Sequence, residues 1–334
     1  MTGLFAHLSD ARRARLKQAE QPDWTAPMLA TLTDRRFSDP GWIYERKLDG
    51  ERALAFRKGD RLRLVTRNRK EIGATYPELI EALERQDCDD FIVDGEIVAF
   101  DGAVTSFSRL QQRMQISDPD AARTSGVTVY FYLFDILHLD RHRLDALGQR
   151  SRKALLKRAI AFDGPLRFTP HRNATGEAFF DAACRKGWEG IIAKRADAPY
   201  SHGRSTDWLK FKCASGQELV IGGFTAPQGK RKGFGALLVG YYEDGKLRYA
   251  GKVGTGFDDD FLTRFHERLE SLARDTSPFD DEVGEGDVTW VAPKLVGNFG
   301  FTEWTTHGKL RHPRFLGLRR DKPAKDVVRE RPKG

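Results

Sequence analysis

At 334 residues the chain is long for one compact core and favours two domains. With 40% hydrophobic and 11% aromatic residues it can fill them, which excludes general disorder. Lys and Arg outnumber Asp and Glu by 56 to 48, a formal charge of +8 that favours an anionic partner such as nucleic acid or a phosphorylated substrate. No run approaches the ~18 apolar residues of a spanning helix, and the N-terminus lacks a signal-peptide core, so no membrane is expected. Cys88, Cys184 and Cys213 have no close spacing; they suggest neither a disulfide framework nor a zinc site, and a reducing cytoplasm is the expected setting.

In chain order, residues 1–21 ("MTGLFAHLSDARRARLKQ" at their start) read as a short amphipathic or frayed basic arm. From Trp42 to Val65 apolar and polar residues alternate as in strands, with "KGD" supplying a turn. "YPELIEALERQ" places Leu79, Ile80 and Leu83 on one helical face. "DFIVDGEIVAFDG" and "VTVYFYLFDILHLD" are apolar, β-branched and aromatic runs that predict buried strands. "LGQRSRKALLKRAIAF" and "TGEAFFDAACRKG" predict helices, the second opening near Thr175 and closing at Gly187. "GIIAKR" and "WLKFK" predict short strands. Beyond Lys212 the texture becomes strand-like, with a hairpin signal at Asp244-Gly245 and one helix, "DDDFLTRFHERLESLARD". This pattern suits a small oligonucleotide-binding barrel, a closed sandwich fits nearly as well, and the boundary falls near Ala214–Gln217.

The chemistry centres on "IYERKLDGER". A lysine at a strand end is a nucleophile when its amine is unprotonated, and nearby cations, metal and burial lower its pKa; Arg46 and Arg52 supply the expected charge. Gly50 permits a close turn and Asp49 can orient the amine or a metal-bound water. Taken alone, the cluster is better read as a solvated charged turn. Acidic residues recur at the ends of apolar strands: Asp94 and Glu96 in "IVDGEIVAF", Glu189 in "GWEGIIAKR". Lys210 and Lys212, two apart in a strand, share a face. A plain hairpin turn and an edge strand would also account for these. Together, however, a nucleophile, separated carboxylates for a hard cation and clustered ammonium groups are the parts needed to attack a nucleoside triphosphate.

These motifs, in this order, resemble the ATP-dependent DNA ligases of the covalent nucleotidyltransferase superfamily, most nearly the ligase module of bacterial end-joining ligases, from about Pro22 to Glu330. The resemblance implies that Lys47 in "KLDGER" is adenylylated, with Asp49 assisting and Glu45 and Arg52 in the nucleotide's shell. "TRNRK" puts Arg67 on the AMP and the nick phosphate, "DGE" puts Glu96 on ribose or metal, and "YLFDIL" stacks Phe134 on adenine. "EGIIAK" makes Glu189 a metal ligand, and "GRSTDWLKFK" places Arg204, Lys210 and Lys212 on the phosphates. In "FLGLRRDK", Arg319, Asp321 and Lys322 would orient departing pyrophosphate. Two departures stand out: Asn298 where an acidic residue is expected, and a turn in "LHLDRHRL" without its usual glycine.

The implied fold is α+β: an N-terminal arm (1–21), a nucleotidyltransferase (adenylation) domain of antiparallel sheets with flanking helices (22–214), and a C-terminal OB-fold β-barrel domain (215–334). The implied activity seals 5′-phosphate/3′-hydroxyl breaks with ATP and Mg²⁺ or Mn²⁺, through lysyl-AMP and DNA-adenylate, the second domain swinging about the segment after Lys212. Expected partners are nicked or broken duplex DNA, gripped through phosphates with help from Lys230, Arg231 and Lys232, and the end-binding protein Ku; the protein is expected to be a monomer. An RNA ligase, a GTP-dependent capping guanylyltransferase and a non-catalytic nucleic-acid-binding protein are the alternatives.

Overall fold

The alternation that begins at Trp42 builds a pair of facing sheets. The computed structural model describes residues 3–213, 216–227, 229, 232–319 and 322–331, which divide into two compact units, the first running to Cys213 and the second from there to Arg331.

In the first unit, β1 (Leu29–Leu32), β2 (Trp42–Lys47), β3 (Glu51–Lys58), β4 (Arg61–Thr66), β5 (Asp90–Val98), β6 (Tyr130–Leu139), β7 (Gly190–Arg195) and β8 (Arg204–Lys212) carry the framework, with helices α1 (Pro77–Glu84), α2 (Gln149–Ala159) and α3 (Gly176–Arg185). One sheet runs β6-β5-β3-β4, all antiparallel. Its outer face (Ala53, Ala55, Val93, Leu133) is covered by Leu79, Ala82 and Leu83 of α1 and by Leu155 and Leu156 of α2. The other sheet runs β2-β7-β8-β1, with β1 parallel to β8. There Tyr44, Ile191, Ala193 and Phe211 pack on Phe179, Phe180 and Ala183 of α3. Leu54, Phe56, Ile92, Phe134 and Leu137 from the first sheet meet Trp208 of the second, with Met28 and Tyr200, in the core between them. Each such side chain contributes about 1.5–3 kcal/mol by leaving water.

Several expectations need correction. Residues 3–21 are not a frayed arm: Phe5 and Leu8 are buried in the same core as α1 and α2. Cys184 and Cys213 form a disulfide, their Cα atoms 5.2 Å apart, although 29 residues separate them; the return of the chain through β7 and β8 brings them together. The turn without glycine is made by Asp140 and Arg141, both at positive φ (46° and 61°), and Asp90 accepts from the Arg141 amide at 2.7 Å. Carboxylate–amide bonding of this kind is how a non-glycine residue is held in the left-handed region. As expected, α3 ends where Gly187 takes φ 68°.

The second unit is built from β9 (Gly216–Thr225), β10 (Leu237–Glu243), β11 (Lys246–Val253), β12 (Val288–Gly300) and β13 (Arg314–Arg319), in the order β11-β10-β9-β12-β13. Asp244 and Gly245 both take positive φ in the β10–β11 hairpin, as the Asp-Gly signal requires. Register shifts at Ile221/Gly223, Val239/Gly240 and Asn298/Phe299 mark bulges that raise twist and curl the sheet around Leu219, Ile221, Val239, Phe299 and Phe315. Helix α4 (Asp259–Glu270), capped by Asp258 accepting from the Phe261 amide, adds Leu262 and Phe265 to that core. Among the described residues no helix is long and apolar enough to cross a membrane.

Candidate active site

Register places the chemistry. On β2, Tyr44 points into the outer core, so Ile43, Glu45 and Lys47 face the other sheet. Lys47 lies opposite Gly190, which lies opposite Lys212; Glu45 is opposite Ile192 and then Lys210; Ile43 is opposite Lys194 and then Trp208. Directly opposed residues share a face, so these form three inward rows. Gly190 is required at the centre of the first row. Its φ is 149°, and a Cβ there would sit 1.9 Å from the Phe211 carbonyl oxygen. Only backbone therefore separates Lys47 from Lys212.

Lys47 Nζ donates to Glu189 Oε2 at 2.5 Å. Burial works against the ammonium form, but the charge and hydrogen bond of Glu189, aided by Asp49 and Glu96, prevail and hold the Lys47 pKa above its ordinary value. This corrects the expected lowering. Arg46 points to the other face of β2, its guanidinium 4.3 Å from the Trp188 ring, and Arg52 is neutralised by Asp94. Burial likewise opposes the charge on Glu189, yet Lys47, Lys212 and Lys210 hold its pKa below the ordinary carboxylate value. Gly50 is required too: a Cβ there would lie 2.1 Å from the Ile97 carbonyl oxygen, so only glycine lets the Asp49 turn lie against β5.

The facing sheet supplies the rest. Arg52 and Glu96 are register partners, and Glu96 acts electrostatically on both Lys47 and Arg52. Arg52 makes a forked pair with fully buried Asp94, Nε and Nη2 each at 2.6 Å, and Tyr200 Oη donates to the same carboxylate at 2.6 Å. Phe134 is flanked by the Arg52 guanidinium at 4.6 Å and by Lys194 Nζ at 4.3 Å, the latter also 4.0 Å from the Trp208 ring. Glu45, only 2% exposed, lies between Lys153 at 2.6 Å and Lys194 at 2.7 Å. Burial pushes Lys194 down to about 8, against the pull of Glu45.

The structure thus gathers Lys47, Asp49, Glu96, Glu189, Lys210 and Lys212, with Glu45, Arg52 and Phe134 further into the cleft. Arg67 opens the turn after β4, next to the position of Thr66 opposite Ala53. Arg204 is not gathered: it is exposed at the far end of β8, donates to the Ala30 carbonyl at 2.7 Å, and lies roughly 25 Å along the strand from Lys212. In the second unit, Arg319 and Lys322 converge on Glu218, at 3.6 and 2.5 Å. Glu218 is the register partner of Asn298, so an acidic residue stands beside the position where one was expected. Asp321, Lys230 and Arg231 lie outside the described residues; Lys232 is exposed. Sequence reasoning passed over Lys194, Tyr200, Trp208, Lys153 and Glu218. Lys194 and Trp208 share the inward parity of Gly190 and Lys210, a signal that was available; for Lys153, Tyr200 and Glu218 there was none.

A family model for the ATP dependent DNA ligase domain matches residues 27–212, and one for the ATP dependent DNA ligase C terminal region matches residues 230–322. The chain belongs to the ATP-dependent DNA ligases. Its two units are the adenylation and OB-fold domains of that family, which stands against the guanylyltransferase and RNA-ligase alternatives. The ligase is 36% identical over 322 residues to the multifunctional non-homologous end joining protein LigD of Pseudomonas aeruginosa, covering 94% of this chain and 37% of that protein. It is 37% identical over 315 residues to the LigD end-joining repair protein of Mycobacterium tuberculosis, covering 92% and 40%. The chain therefore spans about two-fifths of the length of these relatives. A solved mycobacterial DNA ligase D complexed with ATP and MES superposes with a TM-score of 0.67 at 34% identity, covering 93% of this chain and all of that one.

Proposed function

We propose that this ligase seals 5′-phosphate/3′-hydroxyl breaks in duplex DNA during end joining, with Lys47 as the nucleophile. The observation that carries the reading is the Lys47–Gly190–Lys212 row with Glu189 at its head. The Lys47 amine, after giving up a proton, attacks the α-phosphorus of ATP; a P–N bond forms and the bond to pyrophosphate breaks. The 5′-phosphate of the break then displaces lysine from AMP, and the 3′-hydroxyl displaces AMP from that activated phosphate. Splitting one condensation this way keeps the adenylate activated throughout. Glu189 is hydrogen-bonded to Lys47 and orients its amine, and Lys210 and Lys212 stabilise charge on the phosphoryl oxygens. Phe134 offers its ring to adenine, and Arg319 and Lys322 serve the departing pyrophosphate.

Among the described residues no group of three or more His, Cys, Asp or Glu side chains forms a metal cage. The carboxylates of Glu189 and Glu96 fit a hard cation that keeps water and phosphate oxygens as its other ligands. Mg²⁺ or Mn²⁺ bound there would neutralise phosphate charge and compete with Lys47 for Glu189. The end-joining context is supported by the names of the LigD relatives, and Ku is the partner that this reading proposes. The test is sealing of a nicked duplex with ATP and Mg²⁺ or Mn²⁺, wild type beside Lys47→Ala. Loss of sealing and of protein-bound AMP is expected; unchanged sealing by the variant refutes covalent catalysis at Lys47.

A further inference from the structure

We propose that Cys184 and Cys213 are a reversible redox pair, a modification site whose oxidation clamps the strand ends that carry Glu189 and Lys212. Cys184 is in the last turn of α3, five residues before Glu189, and Cys213 directly follows Lys212 at the end of the first unit. The Cys213 amide donates to the Glu189 carbonyl at 3.0 Å, just beyond the last ladder pair, Gly190 with Lys212. Hydrogen bonds at the ends of a ladder open more readily than those in its interior. A bond between the two sulfurs closes this end, holding the Glu189 and Lys212 segments together where the site needs both. Their Cα separation of 5.2 Å lies inside the range a disulfide spans without backbone movement. Both cysteines are only partly buried, at the margin of the α3 core, so small oxidants and reductants reach them.

The chemistry balances with a hydroperoxide as oxidant. One thiolate attacks the peroxide oxygen, forming a sulfenic acid and releasing an alcohol; the second sulfur displaces the hydroxyl group, which leaves as water. Each turn removes two electrons and two protons from the thiol pair. A dithiol reductant reverses it by exchange, becoming a disulfide itself. Cys88 is the internal control: its Sγ lies 3.6 Å from the Asp90 carbonyl oxygen and burial pushes its thiol pKa up, away from reactivity.

The test compares the full chain treated with tert-butyl hydroperoxide and with dithiothreitol. Alkylation and peptide mapping should show a Cys184–Cys213 cross-link after oxidation, with Cys88 alone free. Amide exchange in peptides covering 186–190 and 209–213 should slow about fivefold or more, and Cys184→Ser or Cys213→Ser should abolish that change whereas Cys88→Ser preserves it. Labelling of Lys47 by α-labelled ATP should be about threefold faster or more in the oxidised form; this arm alone rests on the ligase reading. Three free thiols after hydroperoxide, a cross-link between molecules, unchanged exchange, or measurable labelling at the same rate in both forms would overturn the clamp. Absence of labelling in both forms, with cross-link and slowed exchange present, would support the clamp and count against the ligase reading.

Discussion

Replacing Glu189 by Gln should move two properties of Lys47 in opposite directions. In the native protein the carboxylate holds the Lys47 ammonium at 2.5 Å, and both side chains are mostly buried, at 20% and 27% exposure. An opposite charge at this range shifts a pKa by about 1–3 units. The substitution removes that charge and leaves burial, the largest influence, opposed by the weaker pull of Asp49 and Glu96. The apparent pKa of Lys47 should fall by one unit or more, about 1.4 kcal/mol per unit, and its neutral fraction at pH 8 should rise about tenfold. Trace acetylation across a pH series, read at the Lys47 peptide by mass spectrometry, measures this directly. Protein-AMP formation should nevertheless fall on the proposed reading, in which Glu189 orients Lys47 and binds the cation. A Lys47 pKa in the variant equal to or above the native one would refute the electrostatic account. The sign of the stability linkage follows. The raised Lys47 pKa means its contribution is full below the unfolded value of 10.5 and is lost as pH rises through the folded one. The lowered Glu189 pKa gives a contribution present above 4.5 and lost as pH falls through the folded value.

Asp94→Asn should strand the charge of Arg52 in the cleft and cost about 3–5 kcal/mol, read from the midpoint of urea unfolding of the full chain. Gly190→Ala forces a Cβ to within 1.9 Å of a backbone oxygen and should abolish protein-AMP formation while destabilising the fold by about 1–3 kcal/mol or more; wild-type labelling in this variant would contradict the central row. Because burial pushes Lys194 down to about 8 when folded against 10.5 as its reference, the unfolded state binds more protons between those values, so stability should gain roughly 3 kcal/mol as pH rises through that window. Lys194→Met should flatten that rise in a pH series of unfolding midpoints. Glu218→Gln should remove the negative charge facing Arg319 and Lys322 and destabilise the fold by on the order of 1 kcal/mol, read as a slightly lower thermal midpoint with a smaller salt dependence than wild type.

Much of the site was legible because its signals are local. The nucleophile motif, the "DGE" carboxylates and the "WLKFK" pair each occupy a few consecutive residues, and strand periodicity alone assigns their faces. The same periodicity, carried four residues up β7 from Gly190, would have found Lys194. Proximity in sequence misled where it was taken for proximity in space: Arg46 adjoins Lys47 yet points to the opposite face, and Arg52, a turn away, is held by Asp94.

From the chain alone came the family resemblance, the strand-rich halves, the hairpin at Asp244-Gly245 and the identity of most groups that gather around Lys47, since turn chemistry and period-two alternation act over short stretches. Tertiary structure decided the sign of the Lys47 pKa shift, the two lysines enclosing Glu45, the Glu218 contacts of Arg319 and Lys322, the docked N-terminal segment and the Cys184–Cys213 bond. Each of these depends on which strands are neighbours and in what register, and pairing between residues distant in sequence is set by the packing of whole faces rather than by any motif.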